Sequence, residues 1–89
     1  AGLAALTRSL AVELGPDIRV NGIAPGAILW PEGDDTHDKP FRDRIVANTP
    51  LKRLGDPADI ANTVIFLARD APFITGEVIV VDGGRSLVS

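Results

Sequence analysis

Val78-Ile79-Val80-Val81 is an unbroken run of four β-branched residues, closed by Asp82-Gly83-Gly84. A run of this kind reads as a strand covered on both faces, because no position is left for a polar side chain to meet water. Ile18 to Ala24 reads as a second such strand, with apolar residues on both parities at Ile18, Val20 and Ile23 and Pro25-Gly26 at its end. The segment between the two strands carries helical signals, so the strands are expected to be parallel and joined by a right-handed crossover.

The helical signals are of two qualities. Leu3, Leu6, Leu10 and Leu14 recur at helical spacing before Gly15-Pro16, which predicts a helix of about four turns. Residue 1 is already inside this pattern, with no capping residue ahead of it, so the helix reads as cut. Asp56-Pro57-Ala58-Asp59 has the signature of a helix start: a capping aspartate, proline in the first turn and an acid near the positive end of the helix dipole. Ile60, Ala61, Val64, Ile65, Leu67 and Ala68 then give a broad apolar face, and Asp70-Ala71-Pro72 ends the helix. Phe41 to Asn48 predicts one or two further turns, with Phe41, Ile45 and Val46 inward.

Two parallel strands cannot cover their own faces. The expected fold class is therefore α/β, the C-terminal portion of a Rossmann-like doubly wound parallel sheet, with residues 1–89 as the C-terminal half of a single domain. The rest would come from residues not shown or from another chain. A chain of 89 residues, 45% hydrophobic, would bury only a little over ~60% of its unfolded surface on its own. With no cysteine it has no disulfide to compensate, and His37 alone cannot build a zinc site. No metal is expected. The formal net charge of −3 argues against a nucleic-acid footprint. A cytoplasmic setting is the default, and no apolar run approaches the roughly 20 residues that span a bilayer.

Among the irregular segments, Pro25-Gly26 lies at the carboxyl end of a parallel strand, where open α/β sheets bind ligands. It reads equally well as an ordinary turn. Trp30, the one tryptophan, is either an aromatic surface for a flat ligand or an anchor for its loop. The acidic run holding Glu32, Asp34, Asp35 and Asp38 lacks the ligand alternation of a calcium loop and reads as a solvated lid, with His37 given no role. Asp82-Gly83-Gly84 is a tight turn. Arg19 and the other arginines, scattered among acids, read as surface residues.

Taken together, Glu13-Leu14-Gly15-Pro16, Arg19-Val20-Asn21-Gly22-Ile23-Ala24-Pro25-Gly26, Asp56-Pro57-Ala58-Asp59-Ile60-Ala61, Ile74-Thr75-Gly76-Glu77 and Val81-Asp82-Gly83-Gly84 resemble, in order and spacing, the C-terminal half of the short-chain dehydrogenase/reductase family. The resemblance covers nearly the whole chain. It implies a nicotinamide-dependent oxidoreductase in which Pro25, Gly26, Ala27 and Ile28 meet the cofactor, with the backbone of Ala27 and Ile28 on its carboxamide. In that family a Tyr-x-x-x-Lys motif ends just before an Ala-Gly like Ala1-Gly2. This sequence has no tyrosine, and neither Lys39 nor Lys52 is in a matching context. No catalytic residue is therefore expected within the 89. Many relatives carry a threonine shortly after the Pro-Gly, whereas here those positions are Ile28, Leu29 and Trp30, which shifts cofactor contact to the backbone.

Within the family, Leu29-Trp30-Pro31-Glu32 and the Ser86-Leu87 tail look most like pteridine reductase and its bacterial relatives. That resemblance implies NADP(H) as cofactor, a pterin or folate substrate met by Ala27, Leu29 and Trp30, and a homotetramer in which this end of the sheet packs across a two-fold axis. The alternatives are the same fold acting on a carbonyl such as a 3-oxoacyl thioester, a sugar or a steroid, and a non-catalytic structural piece.

Overall fold

The computed structural model describes residues 2–28 and 39–88. Helix α1 spans Gly2–Leu14, strand β1 Gly22–Pro25, helix α2 Lys39–Ala47, helix α3 Pro57–Ile65 and strand β2 Val78–Val81. Helix α3 runs on into a wider π turn over Phe66–Asp70, and a 3-10 turn over Arg85–Leu87 follows β2. The two strands pair in parallel, Gly22 opposite Val78 and Pro25 opposite Val81. The fold is a Rossmann-like α/β arrangement with the element order the sequence predicts.

The β1 strand begins later than the apolar pattern suggests, and the reason lies in three side chains and their backbone. Arg19 Nη1 donates to the carbonyls of Leu67 (2.8 Å), Ala71 (3.2 Å) and Ile74 (3.3 Å), and Nη2 to that of Ala68 (3.3 Å). These carbonyls lie at or just past the end of the α3 π turn, where orphan acceptors need partners. The Val20 amide donates to Thr75 Oγ1 and its carbonyl accepts from the Gly76 amide. Asn21 accepts from the Glu77 amide and donates to the Ile74 carbonyl. Residues 19–21 therefore commit their polar groups to the 67–77 segment, and regular pairing starts only at Gly22. This corrects the reading of Arg19 as a surface residue. Gly76, at φ +81, has the backbone geometry that favours glycine.

Helix α1 fully buries none of its leucines. Its buried residues are Thr7 and Ala11. A Cβ on Gly22 would lie 3.6 Å from Thr7 Oγ1, and one on Gly76 would lie 3.5 Å from Ala11 Cβ. Small residues thus meet small residues and bring the helix close. Leu3 and Leu6 are exposed, at 59% and 55%. Helix α3 starts as expected: the Asp56 carboxylate accepts from the Ala58 amide, and Asp59 reaches back to the Asp56 amide in a capping box. Its far end leaves Val64, Ile65 and Phe66 open to solvent. Apolar side chains buried among the described residues are limited to Ala11, Leu67 and Ala71.

Gly22 at the start of β1 and Gly26 just past its end donate to the carbonyls of Glu77, just ahead of β2, and Val81, its last residue. Bonds towards β2 thus fall on alternate residues, and the nitrogen of Pro25 faces the other way.

Replacing Arg19 with Met should destabilise the folded protein by about 2–3 kcal/mol, because a charged donor and the carbonyls it satisfies are lost together. Arg19→Lys should recover only part of this, since an ammonium cannot fork to several acceptors. Chemical denaturation of the three proteins checks the order.

Candidate nucleotide-contacting site

The carboxyl ends of β1 and β2 converge on one region. Gly26 follows β1 and lies so close to Asp82 that a Cβ would stand 2.7 Å from Asp82 Cβ and 2.8 Å from Asp82 Cα. The glycine is therefore required by the neighbouring strand end, whatever ligand lies above it. Asp82 closes its own turn: one carboxylate oxygen accepts from the Gly84 amide and the other from the Ser86 amide, each at 2.9 Å. Bonds from Ser86 and then Gly84 hold its carboxyl below the usual carboxylate range.

The paired glycines have a use beyond turning. Gly83 (φ +64) and Gly84 (φ +89) sit against the Thr49-Pro50 segment, where added Cβ atoms would come within 2.9 Å of Thr49 Cγ2 and of Pro50 Cγ. The Leu51 amide donates to the Gly83 carbonyl, and Thr49 is buried with its hydroxyl on the Ile45 carbonyl. Helix α2 is thereby tied to the end of β2.

Ala27 and Ile28 are tied to a third segment. The Gly55 amide donates to the Ala27 carbonyl at 2.8 Å, and Ile28 and Gly55 form a parallel bridge. Arg53 and Asp59 flank this contact in a two-pronged ion pair, Nη1–Oδ2 2.9 Å and Nη2–Oδ1 3.3 Å. The bond from Arg53 and then that from the Asp56 amide lower the Asp59 pKa. Ala27, Ile28, Leu51, Arg53, Asp82 and Gly83 contribute to a cavity of about 300 Å³. A more open cleft of about 440 Å³ lies beside Pro25, Gly26, Val80 and Arg85.

Of the residues singled out from sequence, Pro25, Gly26, Ala27 and Ile28 come together at the strand ends beside one or other of these hollows. Leu29 and Trp30 lie outside the described residues, as does the acidic run with His37. Among the described residues no group of three or more metal-ligating side chains occurs and no helix is long and apolar enough to cross a membrane. The sequence reading missed Arg53 and Gly55. The signal was there in the Arg-Leu-Gly-Asp-Pro-Ala-Asp stretch, where the N3 acid of a capping box has an arginine six residues before it.

The sequence profile of the family described as enoyl-(acyl carrier protein) reductase matches residues 1–86. The chain is 47% identical over 89 residues to a (2S)-[(R)-hydroxy(phenyl)methyl]succinyl-CoA dehydrogenase subunit of Thauera aromatica, covering 98% of this chain and 36% of that protein. It is 44% identical to an L-rhamnose 1-dehydrogenase (NAD(P)(+)) of Azotobacter vinelandii, covering 94% and 34%. A solved 4-hydroxyisoleucine dehydrogenase in complex with NADH superposes with a TM-score of 0.87 at 36% identity, over 99% of this chain and 37% of that one. The chain belongs to the short-chain dehydrogenase/reductase family, whose members are nicotinamide-dependent oxidoreductases. It spans about a third of the length of the relatives it matches.

Two outcomes follow from the site's packing. Gly26→Ala should destabilise the protein by about 1–3 kcal/mol, as overpacking against backbone does. Gly55→Ala should cost less, because its closest contact, 2.5 Å, is the flexible Cδ1 of Ile28; denaturation midpoints give the order. The second concerns acid. Because the folded Asp82 carboxyl titrates below its unfolded value, its contribution to stability is complete above the ordinary value of 3.8 and is lost as pH falls through the lower folded value. Asp82→Asn should therefore show a shallower fall of stability with pH in that acid range than the parent, measured by urea unfolding across pH.

Proposed function

We propose that these 89 residues are the C-terminal part of an NAD(P)-linked oxidoreductase domain and that the Pro25–Ile28 turn receives the nicotinamide end of the cofactor. The supporting observation is the peptide between Ala27 and Ile28. Its carbonyl is taken by the Gly55 amide, and in a trans peptide the N–H points opposite to the carbonyl, so the Ile28 N–H is aimed away from Gly55 in a fixed direction. A fixed backbone donor beside a cavity of about 300 Å³ fits a flat ring bearing a carboxamide. When bound, the nicotinamide exchanges a hydride with the substrate carbon. The residues present here bind and orient. By the family resemblance the proton donor is a tyrosine, a residue these 89 do not contain.

The substrate is a small molecule, and interconversion of a secondary alcohol and a carbonyl is the reading the named relatives favour. Those relatives act, by their names, on an acyl-CoA, a sugar and an amino acid. Reduction of a dihydropterin or dihydrofolate by NADPH is the second reading, carried by Leu29-Trp30-Pro31-Glu32 and Ser86-Leu87. A homotetramer in the cytoplasm accords with either, and the exposed leucines of α1 accord with cover by further chain or a second copy.

The test is turnover by the complete enzyme, followed through NADH or NADPH absorbance, on a 3-hydroxyacyl thioester, an aldose and a dihydropterin. Failure to bind either dinucleotide would remove the proposal. If the pterin is turned over, Trp30→Ala should raise its KM roughly tenfold, from lost aromatic contact and apolar cover together worth about 1.4 kcal/mol. Cofactor affinity should hardly move. Unaltered pterin kinetics with a lowered melting temperature would make Trp30 a loop anchor.

A further inference from the structure

The Arg53–Asp59 pair sits on the surface, with side chains 57% and 32% exposed, where an ion pair ordinarily adds little to stability. Its geometry does something else. Arg53 Nη1 donates to the Leu54 carbonyl at 3.0 Å as well as to Asp59. Asp59 Oδ2 accepts from the Asp56 amide at 2.8 Å as well as from Arg53. Leu54 and Asp56 are the neighbours of Gly55, so the pair grips the chain on both sides of the one residue whose amide holds the Ala27 carbonyl. Gly55 is also the residue that lets this segment lie flush on Ile28, since any Cβ there would meet the Ile28 side chain. The Asp56 cap and Pro57 then anchor the grip to the rigid start of α3.

We propose that Arg53 and Asp59 are positioning residues for the cofactor: through Gly55 they set the plane of the Ala27–Ile28 peptide and so the direction of the Ile28 N–H towards the nicotinamide carboxamide. This rests on the assignment of Ala27 and Ile28 to that contact. Both side chains also border the cavity beside that peptide. A one-point contact would let the peptide rotate about the chain, whereas a planar guanidinium held by two carboxylate oxygens and one carbonyl resists rotation.

The experiment measures dissociation constants in the complete enzyme for the preferred dinucleotide, for its thionicotinamide analogue, whose sulfur is a poorer acceptor than the carboxamide oxygen, and for the matching ADP-ribose, which lacks the ring. In the parent enzyme the natural dinucleotide should bind more tightly than the thio analogue. Arg53→Ala and Asp59→Asn should each weaken the natural dinucleotide roughly fivefold, about what one misaligned hydrogen bond is worth. They should narrow its advantage over the thio analogue and leave ADP-ribose unchanged. The double variant should be no worse than either single one, as expected for one shared contact. Arg53→Lys should recover only part of the loss. Equal weakening of dinucleotide and ADP-ribose would make the pair merely structural, and undiminished preference in Arg53→Ala would equally overturn the proposal. If the parent enzyme itself does not distinguish oxygen from sulfur, the assignment of Ala27 and Ile28 fails first.

Discussion

Arg19 holds four carbonyls from the end of α3 and the segment that leads into β2, and the relative placement of the other elements depends on that grip. A helix end that turns back towards a parallel strand leaves several acceptors close together with no donors of their own. One planar cation supplies those donors from the segment ahead of β1, so the crossover is fastened at its far end before the β1–β2 ladder begins. Asn21 and the Val20 backbone continue the same seam to Gly76 and Glu77. The apolar side chains buried among the described residues are Ala11, Leu67 and Ala71, and two of these three lie in the segment this seam holds.

At the opposite end of the two strands the organisation is glycine contact instead of charge. Gly26 lies on Asp82, Gly83 on Thr49, Gly84 on Pro50 and Gly55 on Ile28. Four close backbone approaches gather the turn after β1, the turn after β2, the end of α2 and the start of α3 within a small volume. At the edge of this cluster the Arg53–Asp59 pair satisfies the Leu54 carbonyl and the Asp56 amide, and the Asp82 carboxylate satisfies the Gly84 and Ser86 amides, groups that loops would otherwise leave bare.

Much of this was legible in the residues. The four β-branched residues of β2 and the Asp56-Pro57 start of α3 carry local signals that no neighbour overrides, and both elements begin where those signals place them. The start of β1 was not legible, because Ile18 and Val20 look like strand while the polar groups of Arg19, Val20 and Asn21 are spent on residues some fifty positions away, a distance no periodicity can reveal. The same limit hid the reason for Gly26. From sequence, glycine after proline suggests room for a ligand; the room is taken by Asp82. Helix α1 misleads in another way, since its leucines carry the periodic signal while Thr7 and Ala11 make the close contact.

Pro25 is the last residue of β1, and its nitrogen lies on the edge not occupied by β2. A strand laid along that edge would find no hydrogen to accept at this position. Its ladder with β1 would have to end one step early, and from there the two backbones would be free to diverge. A strand on that edge would thus be released from β1 at its carboxyl end, directly before the turn that leads to Ala27 and Ile28.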